Sequence, residues 1–171
     1  MKTKTLLVTV IAAIAVSFLS FTYVNQSKEN HLLKTPSIEG TYELVWRKLP
    51  DGTTVKPPMI MGITTFTKDV RNFNLMEVDK NGKHYSYSVF STYKLTDKDY
   101  TETIHFGVMN DEVGGKGVTY ITDQTKTVPI KYDGKKLEYK FPFDPPSVTF
   151  EGNKMTATAE GMFTDYWEKV K

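Results

Sequence analysis

The stretch from Val70 to Leu95, VRNFNLMEVDKNGKHYSYSVFSTYKL, decides the fold. In its first part, alternate positions hold residues that would share one buried face, namely Arg71, Phe73 and Leu75. A period of two is typical of a β-strand with one face in a core. The turn Asp79-Lys80-Asn81-Gly82 follows, and Asn-Gly readily adopts the positive φ angles of a type I′ hairpin. The aromatic run from His84 to Leu95 then predicts a long antiparallel return strand.

The same pattern extends in both directions, and no window after residue 38 keeps a helical apolar stripe for three turns. Upstream, we expect Tyr42, Leu44 and Trp46 to point one way, with Arg47 on the opposite face. Downstream, Glu102, Ile104 and Phe106 are expected to share the inward face of one strand. Further strands are predicted at 59–67, 70–78, 84–95, 100–109, 117–122, 128–132, 137–141, 147–150, 154–159 and 161–170.

This pattern predicts an all-β domain, a single antiparallel up-and-down β-barrel of about 8–10 strands. A sheet with that many strands rarely stays flat and open, so we expect it to close. A two-sheet sandwich is the rival architecture. The meander order favours the barrel, because sandwiches usually need Greek-key crossings.

Charge and cysteine content exclude several classes of function. The formal net charge is +2, and apart from Lys2 and Lys4 the basic and acidic residues number 20 each. A neutral body lacks the basic field that nucleic-acid binding needs, so we predict no nucleic-acid partner. The chain has no cysteine, which excludes disulfides, thiol catalysis and thiolate metal sites.

The first 24 residues have the pattern of a targeting segment rather than of part of the folded domain. Lys2 and Lys4 precede an uncharged run at 5–24, with an apolar centre and small residues at Ala15-Val16-Ser17. We predict a signal peptide, or alternatively a retained membrane anchor, at 1–24, because the run is just long enough to span a bilayer. A linker at 25–37 and the barrel domain at 38–171 would follow. The protein is therefore expected to be exported, either periplasmic or secreted, with membrane attachment only through residues 5–24.

Several short blocks resemble small exported bacterial domains of the lipocalin-like, calycin type that have no assigned activity. The blocks are Ile38–Val45, Leu49–Thr53, Gly62–Thr67, Arg71–Asn74, Tyr93–Leu95 with Tyr100–Glu102, and Phe163–Lys169. Tyr42 stands where that family has a tryptophan. The resemblance covers about residues 38–170 and implies a barrel whose interior binds a small hydrophobic or amphipathic ligand.

Ten residues are candidates for such a ligand site. Arg71 and Glu102 are charged residues on predicted inward faces, where a charge is costly unless it is paired or meets a ligand. They could fix a carboxylate or hydroxyl head group, or they could simply form an ion pair at a barrel end. Aromatic residues could line the pocket or fill it as core. They are Tyr42, Trp46, Phe73, Tyr85, Tyr87, Tyr93, Tyr139 and Trp167.

Two other function classes stay open at this point. In an isomerase- or cyclase-type barrel, Glu102 or His105 would transfer a proton, whereas a non-catalytic envelope module would offer an exposed strand edge or apolar patch. His31, His84 and His105 lack the spacing of a metal motif. In the leading, non-enzymatic interpretation we therefore assign no catalytic residue, and we predict no metal and no cofactor.

Overall fold

A computed structural model describes residues 36–171, and all the regular structure in this part is β. The predicted signal or anchor at 1–24 and most of the predicted linker lie outside the described residues. No helix among the described residues is long and apolar enough to cross a membrane. Twelve strands follow in chain order: β1 Gly40–Lys48, β2 Thr54–Val55, β3 Ile60–Phe66, β4 Val70–Val78, β5 His84–Leu95, β6 Asp99–Asp111, β7 Gly117–Pro129, β8 Lys131–Tyr132, β9 Lys136–Lys140, β10 Ser147–Glu151, β11 Lys154–Ala159 and β12 Phe163–Lys169.

The strands form one antiparallel sheet that curls almost into a closed barrel. Their order is β7-β6-β5-β4-β3-β1-β12-β11-β10-β9-β8, with the short β2 pairing β1. The two ends of this order, β7 and β8, are consecutive in the chain and are separated by Ile130 alone. The predicted all-β up-and-down barrel is confirmed, with twelve strands in place of about ten. An antiparallel barrel of this kind fits a calycin-like fold.

The hairpin between β4 and β5 forms where the sequence predicts it. The amide of Gly82 donates to the Asp79 carbonyl at 3.0 Å, which closes the turn. Positive φ falls on Gly82, at 77°, and not on Asn81. The turn is therefore not type I′. The Asp79 carboxylate stabilises it instead by accepting the amides of Asn81 and Lys83.

A bulge in β1 overturns the predicted placement of two side chains. The register between β1 and β12 shifts between Leu44 and Trp46, so one extra residue enters β1. A single extra residue sends every later side chain to the other face. The prediction that Trp46 shares the inward face of Tyr42 is therefore wrong, because Trp46 stacks on Tyr166 along the outer wall. Arg47, expected outside, is buried.

A second bulge has the same effect in β6. Phe90 of β5 pairs with Phe106, but the next residue, Ser91, pairs with Ile104, so His105 is the extra residue. Glu102 and Ile104 point inward as predicted, whereas Phe106 is 59 % exposed. The expected common face of the three residues is thus broken at His105.

The strand β7 is longer than the sequence suggests. Separate strands are predicted at 117–122 and 128–132, but β7 runs unbroken from Gly117 to Pro129. The polar residues between the two predicted strands are expected to interrupt the pairing. They continue the strand instead, because most of β7 is exposed on both faces and polar side chains there stay in contact with water. Asp123, with a φ of 48°, lies within this strand, opposite the bulge residue His105 of β6.

Candidate functional site

Aromatic side chains fill most of the barrel interior. Tyr100 and Tyr139 stack with their ring centroids 4.4 Å apart, and Tyr139 stacks in turn on Phe150. Tyr42 meets Phe150 edge-on at 5.6 Å. Such pairs stabilise beyond the area they bury. Over this part of the barrel the aromatics pack against one another as a core.

A buried polar centre lies within this aromatic core. Arg71 of β4 is 2 % exposed and Glu102 of β6 is fully buried. The Arg71 Nη1 donates to Glu102 Oε1 at 2.9 Å, and the Ser91 hydroxyl donates to the same oxygen at 2.6 Å. The ring of Phe141 lies 4.3 Å from the Arg71 guanidinium carbon. The predicted inward position of both charged residues is confirmed.

The groups around Arg71 keep its guanidinium charged. Burial alone would lower the pKa of Arg71, but the surrounding acidic groups, of which the Glu102 carboxylate contributes most, together outweigh burial and hold that pKa above its ordinary value. Burial also raises the pKa of the Tyr100 and Tyr139 phenols well above their usual range. Both phenols are therefore protonated at neutral pH, so they offer O–H donors beside the pair.

Several polar atoms in this interior have no hydrogen-bond partner among the described residues. On the ion pair these atoms are Arg71 Nε and Glu102 Oε2, and around it they are the Tyr100 and Tyr139 hydroxyls. A buried polar group without a partner costs about 1–3 kcal/mol, so native proteins keep few of them. A group of them in one place suits a guest molecule or ordered water that supplies the missing partners.

A proline-rich loop brings a third charge to the polar centre. Residues 141–146, between β9 and β10, hold Asp144 with its Oδ2 3.9 Å from Arg71 Nη2. This separation exceeds hydrogen-bond length. Burial raises the pKa of Asp144 above its ordinary value, although Arg71 opposes the shift. The neighbouring Phe143 packs against Tyr87, Val89 and Ile104.

Sequence reasoning missed a second buried arginine. Arg47 Nε and Nη2 donate to the two oxygens of Asp165 at 2.6 and 2.9 Å, and its Nη1 donates to Glu77. The ring of Phe163 lies 3.9 Å from the guanidinium carbon. The alternation of Asp165 with the inward Trp167 is the signal that could have placed this carboxylate inside. The same alternation, with Tyr93 and Glu102, could have placed Ser91 and Tyr100 inside.

The ten predicted site residues fall into three groups. Arg71 and Glu102 form the polar centre. Seven aromatics face the interior, either buried or half-buried, and these are Tyr42, Phe73, Tyr85, Tyr87, Tyr93, Tyr139 and Trp167. Trp46 alone lies on the outer wall, beside a depression of about 170 Å³ that Lys154 and Tyr166 also line.

A larger depression also lies on the outer surface rather than inside the barrel. It has a volume of about 440 Å³ and is lined by outward residues of β3 and β4 such as Met61, Ile63 and Asn74. Leu44 and Leu75 form its floor from the barrel side. This depression does not reach Arg71 or Glu102.

The histidines of the barrel take no part in the polar centre. His84 and His105 are exposed, and the His105 Nε2 lies 2.9 Å from the Thr92 hydroxyl. Within residues 36–171, no group of acidic and histidine side chains could hold a metal ion. Glu102, the other predicted proton-transfer candidate, is paired with Arg71 and Ser91.

The strand β7 presents an open edge at one end of the strand order. It pairs with β6 on one side only, and most of its residues are exposed. Apolar side chains lie on the outer face nearby, with Tyr120 75 % exposed, Val118 55 % and Phe106 59 %. An exposed edge with apolar neighbours is a ready template for pairing with another strand.

Comparisons with known proteins assign no family to this chain. No family model matches the chain, and no curated protein matches it. Among solved structures, the chain is similar to an uncharacterised protein from Bacteroides eggerthii. The two share 17 % identity with a TM-score of 0.35, over 78 % of this chain and 100 % of that one.

Proposed function

We propose that this protein is an exported, lipocalin-like barrel that binds a small, largely apolar ligand in its interior. The supporting observation is the buried ion pair of Arg71 and Glu102, which leaves Arg71 Nε and Glu102 Oε2 without partners. A ligand with a hydrogen-bond acceptor at its polar end would satisfy Arg71 Nε, and its apolar body would be buried among aromatic side chains. Burial of apolar area at about 25 cal/mol per Å² would drive binding.

Binding requires the interior to make room, because the aromatics pack against one another. Within the loop 141–146, residues 143–145 are the segment best suited to move, since they are not in a strand and are not fully buried, whereas Phe141, Pro142 and Pro146 are buried. Movement of this segment away from the barrel would expose the side of the Arg71 guanidinium that Asp144 now faces. Loops of this kind carry binding functions more often than the strands that support them.

Native mass spectrometry of the full chain, purified from cells that make it, tests this function. We expect a bound mass that dissociates on unfolding and that is absent from an Arg71→Met, Glu102→Leu double variant. A protein that carries no bound mass, and gains none from extracts of the same cells, would contradict the proposal.

The sequence of the first 24 residues supports the proposed export. The positively charged start, the apolar centre and the small residues at 15–17 are the features of a secretory signal. Fractionation with intact-mass measurement tests it. The expected result is a chain outside the cytoplasm, shortened if the signal is cleaved and full-length in the membrane if it is retained. A full-length chain in the cytoplasm would contradict export.

A second candidate function is a non-catalytic, self-associating module of the cell envelope. The open edge of β7 and the exposed Val118 and Tyr120 favour it. A second copy is the partner we consider, because two β7 edges can pair antiparallel about a two-fold axis and cover the same patch on each copy. Sedimentation velocity would then show a dimer that Tyr120→Lys dissociates. A monomer at all concentrations would exclude this candidate.

A further inference from the structure

The two buried arginines of the barrel differ in how completely their charged groups are paired. Arg47 uses its Nε and Nη2 edge for both oxygens of Asp165 and its Nη1 for Glu77. Arg71 uses its Nη1 for Glu102, but its Nε has no partner and its Nη2 lies 3.9 Å from Asp144. The same edge that is filled at Arg47 is therefore unfilled at Arg71.

This edge is the part of a guanidinium that recognises a carboxylate with two parallel hydrogen bonds. Arg47 shows that an arginine within this barrel can hold two carboxylates at once. Arg71 holds one carboxylate, that of Glu102. The Asp144 carboxylate lies near its Nε and Nη2 edge but beyond hydrogen-bond distance. The geometry points to a carboxylate as the missing partner, because a carboxylate offers one oxygen to each donor of the edge and carries the charge opposite to the guanidinium, whereas a hydroxyl offers one neutral oxygen.

The loop 141–146 places a carboxylate of the chain itself, that of Asp144, near the position where such a partner would bind; we call Phe143 and Asp144 together the stand-in. Asp144 brings a carboxylate toward Arg71, and Phe143 places an aromatic ring against Tyr87, Val89 and Ile104. These adjacent residues thus present an apolar ring and an acid together. The long Nη2 to Oδ2 separation shows that the chain does not complete the pairing itself.

We propose that the ligand is an apolar monocarboxylate, whose acid takes the Nε and Nη2 edge of Arg71 in place of Asp144 and whose apolar body takes the place of Phe143. This inference rests on the proposed function and adds the chemical class of the ligand. Exchange of one carboxylate for another leaves the local charge unchanged. An amine would be repelled by the positive charge of Arg71. A neutral alcohol would offer the edge a single uncharged oxygen in place of two charged ones, so its hydrogen bonds would be weaker.

Calorimetric titration with 3-phenylpropanoate and 3-phenylpropan-1-ol tests the inference, since these probes differ only in the head group. We expect the full chain to bind the carboxylate about tenfold more tightly than the alcohol. The double variant Phe143→Ala, Asp144→Asn removes the stand-in, and it should gain about another tenfold for the carboxylate. When Arg71→Lys is added to this double variant, the charge is kept but the two-donor edge is lost. The protein should then lose most of its preference for the carboxylate over the alcohol.

A matched control separates the local effect from a change in net charge. Asp133→Asn removes a carboxylate from an exposed turn, where it accepts the amides of Lys135 and Lys136. It should leave both affinities unchanged. Equal binding of acid and alcohol would overturn the carboxylate inference while leaving the proposed function intact. Carboxylate binding that is indifferent to removal of Phe143 and Asp144 would overturn the exchange. Failure of every variant to bind either probe would overturn the carboxylate inference, whereas the absence of any bound mass in native mass spectrometry would overturn the proposed function as well.

Discussion

At the scale of single residues, Arg71 and Glu102 depend on one another. Each lies in an interior of low polarity, where a lone charge costs several kcal/mol. The Ser91 hydroxyl and the ring of Phe141 complete the surroundings of the pair. Sequence alternation could predict that both charges point inward, because Phe73 and Ile104 mark the buried faces. It could not predict Asp144, because a proline-rich loop has no period that fixes where its side chains point.

Breaking this ion pair from one side is expected to be costly. Arg71→Met leaves Glu102 buried without its counter-charge, and we expect a loss of about 3–5 kcal/mol in the free energy of unfolding. The double variant Arg71→Met, Glu102→Leu should recover most of that loss because it removes both charges. Urea unfolding measures both values, and the surface variant Lys136→Met should leave the midpoint nearly unchanged. A double variant as unstable as the sum of its two single variants would contradict the coupling.

The acid dependence of stability at Asp144 has a definite sign. Because burial raises the pKa of Asp144, the folded chain binds this proton more tightly than the unfolded chain, whose pKa is near 3.8. The contribution of this group to stability is therefore complete below the unfolded pKa and is lost as pH rises through the folded pKa. Asp144→Asn mimics the neutral form. It should be more stable than the parent protein at pH 7, with an advantage that disappears in acid.

Asp133→Asn, in the turn between β8 and β9, provides the opposite case. The backbone amides of Lys136 and Lys135 lower the pKa of Asp133. Its stabilising contribution is present above the unfolded pKa and is lost as pH falls through the folded value. This variant should therefore be less stable than the parent protein at pH 7, with a difference that fades in acid. Urea unfolding at several pH values compares the two variants, and the same sign for both would show that the assigned environments are wrong.

At the scale of elements, simple alternation predicts most strands and fails after bulges. Arg71, Phe73 and Leu75 keep one face because β4 is regular. Trp46 and Phe106 exchange faces because each follows an extra residue, in β1 and in β6 respectively. The residue types at these two positions do not predict a bulge. They depend on how the neighbouring strand pairs, and single-strand alternation does not contain that information.

Strand β3 carries a glycine for a packing reason. A Cβ built on Gly62 would lie 2.5 Å from Cη2 of Trp167, a distance too short for non-bonded carbon atoms. We expect Gly62→Ala to cost about 1–3 kcal/mol, because the indole is forced from its place in the core. Met61→Ala, on the outer face of the same strand, should change stability by less than about 0.5 kcal/mol. Urea midpoints of the two variants measure the difference, and equal effects would show that Trp167 does not rest on Gly62.

At the scale of the whole molecule, the barrel encloses two buried arginine centres with different degrees of pairing. Arg47 binds β1 to β12 through Asp165 and to β4 through Glu77, so it joins strands that are distant in sequence. Arg71 joins β4 to β6 and faces the loop 141–146. The first centre is saturated and serves to hold the barrel together. The second centre is unsaturated, and this difference supports a binding role for it.

The central claim is that the unfilled edge of Arg71 receives the polar end of a ligand. A high-resolution crystal structure of the full chain grown with 3-phenylpropanoate tests this claim most directly. The predicted result is density for the carboxylate against Arg71 Nε and Nη2, with Asp144 displaced and the phenyl ring beside Tyr87 and Ile104. A structure in which Asp144 stays in place and only water molecules meet Arg71 Nε would contradict the account.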